Sequence, residues 1–453
     1  MSKSVAALPM VSGGVTPKDV HDLLRRHMLV DGFHVVPDYR ASSGSRLVDG
    51  LTGTVMVDFY TNFASTPIGY NHPKMLDEEF LERLQTAAIV KPANSDVYST
   101  YMAEFVETFA SQAVPDSHYS HLFFIEGGAL AVENALKTAF DWKVRANLAK
   151  GAAGEVGTKV LHFRQAFHGR TGYTLSLTNT ADPRKIQYFP KFDWPRVDNP
   201  KITFPLAEHL EEVQAAEARS LEQLEEAIRL HGDDIACMII EPIQGEGGDN
   251  HFRPEFLAEL RRLADAHGFL LIFDEVQTGL GLTGQWWAWQ ALGVEPDIFC
   301  FGKKVQACGI AASKRIDEVE NNVFEVSSRI NSTWGGNLVD MVRSTRYIEI
   351  ICQDDLLANV RRQGAKLMEL LTDLAATHPG TVLNVRGRGL MCAFDLPDRE
   401  TRNRVLKVGR EEGVLALPCG LATIRFRPFL DVTERDLVDG VAALGRALDR
   451  VLG

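Results

Sequence analysis

Two lysines, Lys303 and Lys304, follow the run "FCFG" at 299–302, where an apolar strand would finish. Lysine is expensive to desolvate, so the pair has two readings. One is a solvated turn; the other is an amine held in a pocket for covalent work. Other segments end in the same manner. "FLLIF" (269–273) delivers Asp274 and then Gln277, and "KVLHF" (159–163) leads to Phe167, His168 and Arg170. "ACMII" (236–240) delivers Glu241, Gln244 and Glu246, while "HLFFI" (121–125) delivers Gly127, Gly128 and Ala129. Near the C-terminus Arg425 and Arg427 alternate with Ile424 and Phe426, so an extended strand puts both arginines on one face. An amine, a carboxylate, an aromatic ring and guanidinium groups suit covalent chemistry on a carbonyl with anionic substrates.

These residues are useful together only if the fold brings them together. Each apolar run is short and continuous, and helical periodicity separates the runs. "ALAVENALKTAFDWKVRANLA" follows Gly128, "SLEQLEEAIRLHG" precedes "ACMII", and "RPEFLAELRRLADAHG" precedes "FLLIF", with Gly268 as the helix stop. Such runs read as strands buried on both faces, hence an α/β fold with a mostly parallel sheet and crossover helices. Ligands bind beyond the carboxyl ends of the strands in open sheets of this kind. Lys303, Asp274, Phe167 and the Gly128–Ala129 helix start are therefore expected at one rim. After about residue 340 the sequence turns helical, then gives short strands at 382–395 and 421–430 and a helix at 433–452. Residues 1–75 look irregular, with a helix at 17–29 and short strands near 46–60. The expected organisation is an N-terminal segment, 1–75, contributing to a small α+β domain, a large domain at 76–340, and the rest of the small domain at 341–453.

The length of 453 residues is too great for one small core, which agrees with a large domain plus a smaller one. A net charge of −12 argues against nucleic acid or an anionic membrane as the main partner. No apolar run approaches the roughly 18–20 residues that cross a bilayer. The apolar stretch in "MSKSVAALPMVSGGVTPKD" is too short and too broken for a signal peptide. Six scattered cysteines (237, 300, 308, 352, 392 and 419), with no CxxC pair, read as free buried thiols in a reducing cytoplasm, not as disulfides or a metal site.

Pyridoxal 5'-phosphate needs every part of the set. Its aldehyde forms a Schiff base with a lysine that later shuttles a proton. Its ring nitrogen needs an acid partner, its phosphate a helix N-terminus with little side-chain bulk, and its ring an aromatic face. Each part also has a plain alternative: a glycine turn, a core phenylalanine, an acid capping a strand end. The order and the combination favour the cofactor.

The chain resembles the class III (ω-amino acid) pyridoxal-phosphate aminotransferases of fold type I. "MVDFYTNFASTPIGYNHPKM", "FHGR", "EPIQGEGG", "IFDEVQTGLGLTG", "PDIFCFGKK", "NSTWGGN" and "IRFRPFL" carry the resemblance, in order, from about Asp58 to the end. It implies that Lys303 binds the cofactor, with Lys304 structural or an auxiliary cation. It implies Asp274 on the ring nitrogen, Gln277 on the phenolic oxygen, Phe167 against the ring, and Gly128 and Ala129 on the phosphate. Thr333 would reach the phosphate of a neighbouring subunit, which implies a homodimer with the site at its interface. The family commonly has hydroxyls in the phosphate loop; here Gly127-Gly128-Ala129-Leu130 leaves the work to backbone N–H groups and the helix dipole. The wording "EGGALAVENALK" is similar to that of the lysine ε-aminotransferases.

The resemblance also implies a substrate logic. An arginine that binds the carboxylate of glutamate would be an unpaired buried cation when the donor is a terminal amine with no adjacent carboxylate. Glu246 and Arg425 match a family pair in which the acid closes onto the arginine. Spacing alone does not choose between Arg425 and Arg427; the resemblance favours Arg425. Arg170 matches an arginine for the distal carboxylate, and Asn331 is expected to touch the substrate. The expected reaction moves the ε-amino group of L-lysine to 2-oxoglutarate, giving L-glutamate and a semialdehyde that cyclises to 1-piperideine-6-carboxylate. The alternatives are a 4-aminobutyrate or ornithine ω-transaminase, or a pyridoxal-phosphate aminomutase.

Overall fold

The computed structural model describes residues 14–114 and 118–453; the N-terminal apolar stretch lies outside the described residues. Near the N-terminus β1 (Arg46–Val48) and β2 (Val55–Asp58) form an antiparallel pair.

The next strands build a seven-stranded sheet and a small hairpin. They are β3 (His121–Ile125), β4 (Lys159–Phe163), β5 (Arg196–Val197), β6 (Ile235–Ile240), β7 (Ile243–Gln244), β8 (Asn250–His251), β9 (Leu270–Asp274), β10 (Ile298–Phe301) and β11 (Cys308–Ala312). The large sheet runs β3-β11-β10-β9-β6-β4-β5, and β7 pairs with β8. Its strands are parallel except β11, which is antiparallel to both neighbours. The five apolar runs marked above are strands of this sheet. β11 was not expected: "CGIAA" has Ile310 as its one bulky apolar residue and lacks the phenylalanines that mark its neighbours.

The central strands are buried along their whole length because they feed two cores. Phe273, Phe299 and Phe301 point to one face, and Ile272, Ile298 and Cys300 to the other. The helix Gly128–Ala149 covers the second face with Ala131, Val132, Ala135, Leu136 and Ala139. The helix Pro254–His267 covers the first with Phe256, Leu257, Leu260 and Leu263. It ends at Gly268 in the left-handed region, φ +62, as expected of the stop signal.

The C-terminal part adds β12 (Leu383–Arg388), β13 (Met391–Asp395), β14 (Val414–Leu415), β15 (Leu417–Cys419) and β16 (Thr423–Phe426). Four of them form an antiparallel sheet in the order β12-β13-β16-β15. β14 instead pairs parallel with β2, which ties the N-terminal segment to the C-terminal one. The helices Leu338–Gln353, Leu356–Thr377, Arg399–Glu412 and Glu434–Leu452 complete this part. Among the described residues no helix is long and apolar enough to cross a membrane, and no cluster of His, Cys, Asp and Glu could hold a metal ion.

Candidate active site

The carboxyl ends of β3, β4, β6, β9 and β10 open into a cavity of about 530 Å³ lined in part by Gly128, Ala129, Phe167, Arg170, Asp274, Gln277 and Lys303. The expected rim is real: Lys303, Asp274, Phe167 and the Gly128–Ala129 helix start line one space. A larger groove of about 750 Å³ gathers Phe140, Tyr173, Phe192 and Trp194 elsewhere and holds none of them.

Lys303 follows β10 and has φ +45, a left-handed conformation rare for a residue with a Cβ. Burial pulls its amine below the usual lysine value; Asp274 opposes that shift, and Arg425 adds to it. Among the described residues no group accepts a hydrogen bond from its Nζ. Lys304 points away. It is buried, and its Nζ donates to the carbonyl of Ala64 at 3.0 Å. That carbonyl ends a turn, Thr61–Ala64, in which all four residues have positive φ, from 43 to 67. Asp58 holds the start of this turn by accepting from the N–H groups of Tyr60 (2.7 Å) and Thr61 (2.8 Å).

Asp274 ends β9 and is buried. Its Oδ2 lies 2.8 Å from Nδ1 of His168, and its Oδ1 accepts from the N–H of Val276 at 3.1 Å. The carboxylate is thereby locked in one orientation. Glu275 points the other way, accepting from the N–H groups of Ala288 (3.0 Å) and Trp289 (2.8 Å). Glu241 bridges two loops: its Oε1 accepts from the N–H of Phe167 (2.9 Å) and its Oε2 from the N–H of Gly245 (3.0 Å). Burial pushes it up to about 7, with His168 and the two backbone N–H groups pulling down and Asp274 pushing up.

At the helix start Gly127 takes φ +97, and a Cβ on Gly128 would come 2.8 Å from a Val276 methyl. Gly169, at φ +121, is equally confined, since a Cβ there would lie 2.5 Å from that of Ala129. The first N–H groups of a helix have no intrahelical partner, so this close-packed, hydroxyl-free turn is an anion cradle made of backbone.

The arginine strand is decided by what each arginine touches. Arg427 binds Asp249 through Nη1 (2.8 Å) and Nη2 (2.5 Å), with both residues fully buried. Among the described residues Arg425 has no carboxylate partner; its Nη1 donates to Oε1 of Gln277 at 3.1 Å, and its Nε is buried without a partner. Gln277 Oε1 also accepts from Arg427 Nη2 at 2.7 Å. With its oxygen turned to the arginines, Gln277 keeps its NH₂ for the cavity.

The expected Glu246–Arg425 contact is not made. Glu246 is paired with Lys185, which reaches it from the turn Pro183–Lys185. The backbone around Glu246 is nonetheless tied to the arginine strand. Gly420, in the β15–β16 turn, donates to its carbonyl at 2.9 Å, and a Cβ on Gly245 would overlap the Gln277 amide. Thr333 and Asn331 lie outside the cavity on an exposed loop: the Thr333 carbonyl accepts from Ser95 Oγ at 3.2 Å, and Asn331 Oδ1 accepts from the Ser332 N–H at 2.7 Å. Ser65, Gln306, Cys308 and Asp340 line the cavity without having been expected there. They come from turns and an unforeseen strand, where no periodicity marks them.

The matched family is Aminotransferase class-III, whose profile covers residues 31–448. The chain belongs to the class III aminotransferases. It is 52% identical over 449 residues to the L-lysine-epsilon aminotransferase of Mycobacterium tuberculosis, spanning 99% of both chains. It is 52% identical over 443 residues to that of Amycolatopsis lactamdurans, spanning 97% of both. The solved lysine aminotransferase from M. tuberculosis in its internal aldimine form superposes with a TM-score of 0.94 at 53% identity, covering 96% of this chain and 100% of that one. The chain is a pyridoxal-phosphate-dependent aminotransferase of the same fold type. The residues present fit the cofactor: an amine with no hydrogen-bond acceptor among the described residues, an anchored carboxylate, an aromatic ring, and a helix start where a Cβ on Gly128 would strike Val276.

Proposed function

We propose that this aminotransferase transfers the ε-amino group of L-lysine to 2-oxoglutarate. One observation carries the reading: of two arginines on one strand face, Arg427 is neutralised by Asp249, while Arg425 keeps free bonding capacity beside Gln277. With Arg170 on the cavity wall, that supplies separate guanidinium groups for the two carboxylates of 2-oxoglutarate. The end-to-end similarity to lysine ε-aminotransferases supports lysine as donor.

When bound, pyridoxal phosphate supplies an electrophilic aldehyde and a ring that accepts the electron pair released at the substrate carbon. In our assignment Lys303 is the amine that would bind the aldehyde and would move a proton at the ε-carbon. Asp274, oriented by His168, would hold the proton on the ring nitrogen. Phe167 would face the ring, Gln277 would donate to the phenolic oxygen, and the N–H groups of Gly128 and Ala129 would hold the phosphate. Arg170 takes the carboxylate of lysine while Glu246 shields Arg425. Water releases an aldehyde at the former ε-carbon, which condenses with the α-amine to the cyclic imine. 2-Oxoglutarate then takes the amino group between Arg170 and Arg425 and leaves as L-glutamate.

Thr333 and Asn331 belong, in this assignment, to a homodimer whose second subunit brings the loop to the neighbouring phosphate and substrate. We assign 76–340 to the large domain and 341–453 to the small one, to which the N-terminal segment, 1–75, contributes through β2. All six cysteines are unpaired and five are buried, which fits a reducing compartment, and the cytoplasm is the location we assign.

The test is a donor panel: purified protein with L-lysine, L-ornithine or 4-aminobutyrate, each with 2-oxoglutarate. Glutamate formed fastest with L-lysine, together with a trapped cyclic imine, is the expected result. A preference for 4-aminobutyrate would replace lysine as donor, and amino transfer without any keto acid would indicate an aminomutase.

A further inference from the structure

Glu246 needs somewhere to go when 2-oxoglutarate occupies Arg425, and in this structure it is already there. Its carboxylate is paired with Lys185, and its Oε2 is buried with no partner. Arg425 is in the complementary condition, with an amide for company and a buried Nε unsatisfied. The two opposite charges sit on segments that touch through Gly245, Gln277 and Gly420, and each leaves an atom open. That is the arrangement that leaves Arg425 ready for an incoming carboxylate.

The turn that carries Lys185 is built to present it. Asp182 caps the turn and engages Arg184 through Oδ1 to Nε and Oδ2 to Nη2, both at 2.8 Å. Arg184 is thus held outward, while its neighbour Lys185 diverges toward Glu246 and the Phe167 ring. The Lys185 ammonium stands 5.8 Å from the centroid of the Phe167 ring, the ring assigned to face the cofactor. It is about one-quarter exposed, as is Glu246, so the pair is weak enough to break and strong enough to matter.

We infer that Lys185 is the second seat of the Glu246 switch, a positioning residue that draws the carboxylate off Arg425 when the dicarboxylate substrate binds. The inference rests on the Glu246–Arg425 reading above. Lysine as donor returns Glu246 to Arg425; 2-oxoglutarate returns it to Lys185. Removing Lys185 takes away the ion-pair partner that Glu246 has here and leaves it only the field of Arg402 and the open Arg425, so it competes with the substrate carboxylate for Arg425.

The test uses the holoenzyme and the variants K185M, K185R and E246Q, with the two half-reactions followed separately and with calorimetry of glutarate, a dicarboxylate with no group to transfer. In K185M the ratio of KM for 2-oxoglutarate to KM for L-lysine rises about fivefold, and glutarate binds about fivefold more weakly. K185R restores both values, and in an E246Q background K185M changes neither further. A K185M ratio equal to wild type, or the same shift in the E246Q background, overturns the seat and leaves the switch standing. An E246Q protein whose ratio is unchanged overturns the switch and the seat together.

Discussion

Arg427 and Asp249 meet as a fully buried, two-pronged ion pair, at 2.8 and 2.5 Å, which joins the arginine strand to the segment that carries Glu246. The pair occupies Arg427 and leaves Arg425 as the arginine we propose for substrate. Removing one partner strands the other charge without solvent, so Asp249→Ala or Arg427→Ala is expected to destabilise the fold by about 3–5 kcal/mol, read as a fall in Tm. Arg425→Ala, by contrast, is expected to keep a near-native Tm and to raise KM for 2-oxoglutarate roughly ten- to a hundredfold. A normal KM in that variant would remove Arg425 from the carboxylate site.

Asp274 has one strong partner, His168, and that contact is expected to show in cofactor affinity. Asp274→Ala should lower the rate by about a hundredfold or more, because a fixed charge is lost from the place where charge develops. His168→Ala should weaken pyridoxal phosphate binding by equilibrium dialysis without abolishing activity. Equal and complete loss in both would mean that the histidine acts directly.

Gly169→Ala tests the backbone cradle. The new methyl meets the Cβ of Ala129 at 2.5 Å and Thr174 Oγ1 at 2.9 Å, at a φ of +121. The expected cost is about 1–3 kcal/mol in stability, with a measurable loss of phosphate and cofactor affinity. Ala129→Ser should do the reverse, adding a hydroxyl donor to a loop that has none.

Lys304 predicts a pH dependence. In the unfolded chain its amine titrates near 10.5; in the fold, burial and the nearby Arg427 push it down to about 7, with Lys303 adding to the shift and Asp58 opposing it. Between those values the unfolded chain holds the extra proton, so the contribution of Lys304 to stability rises with pH across that window. The penalty is fully present below about pH 7. Chemical denaturation from pH 7 to 10 should show the rise, and Lys304→Met should flatten it while loosening the turn at Thr61–Ala64.

The strands and their carboxyl ends were legible because burial on both faces forces continuous apolar runs, as in β6, β9 and β10. β11 was hidden because its small residues pack against Phe301 and Phe123, as at Gly309, and show no apolar signature of their own. Spacing left Arg425 and Arg427 alike in the sequence because Asp249, which pairs with Arg427, comes from a distant loop after β7. Lys185 escaped notice for a similar reason. It lies in an irregular stretch after the Gly172–Leu177 helix, where only the fold shows that it meets Glu246.

The central claim is that Lys303, not Lys304, holds the cofactor. Borohydride reduction of the holoenzyme followed by peptide mass spectrometry tests it directly. The expected result is a pyridoxyl phosphate group fixed on Lys303, with Lys304 unmodified and no fixation in Lys303→Ala. The group found on Lys304, or no fixed group in a protein that still transfers amines, would contradict the account.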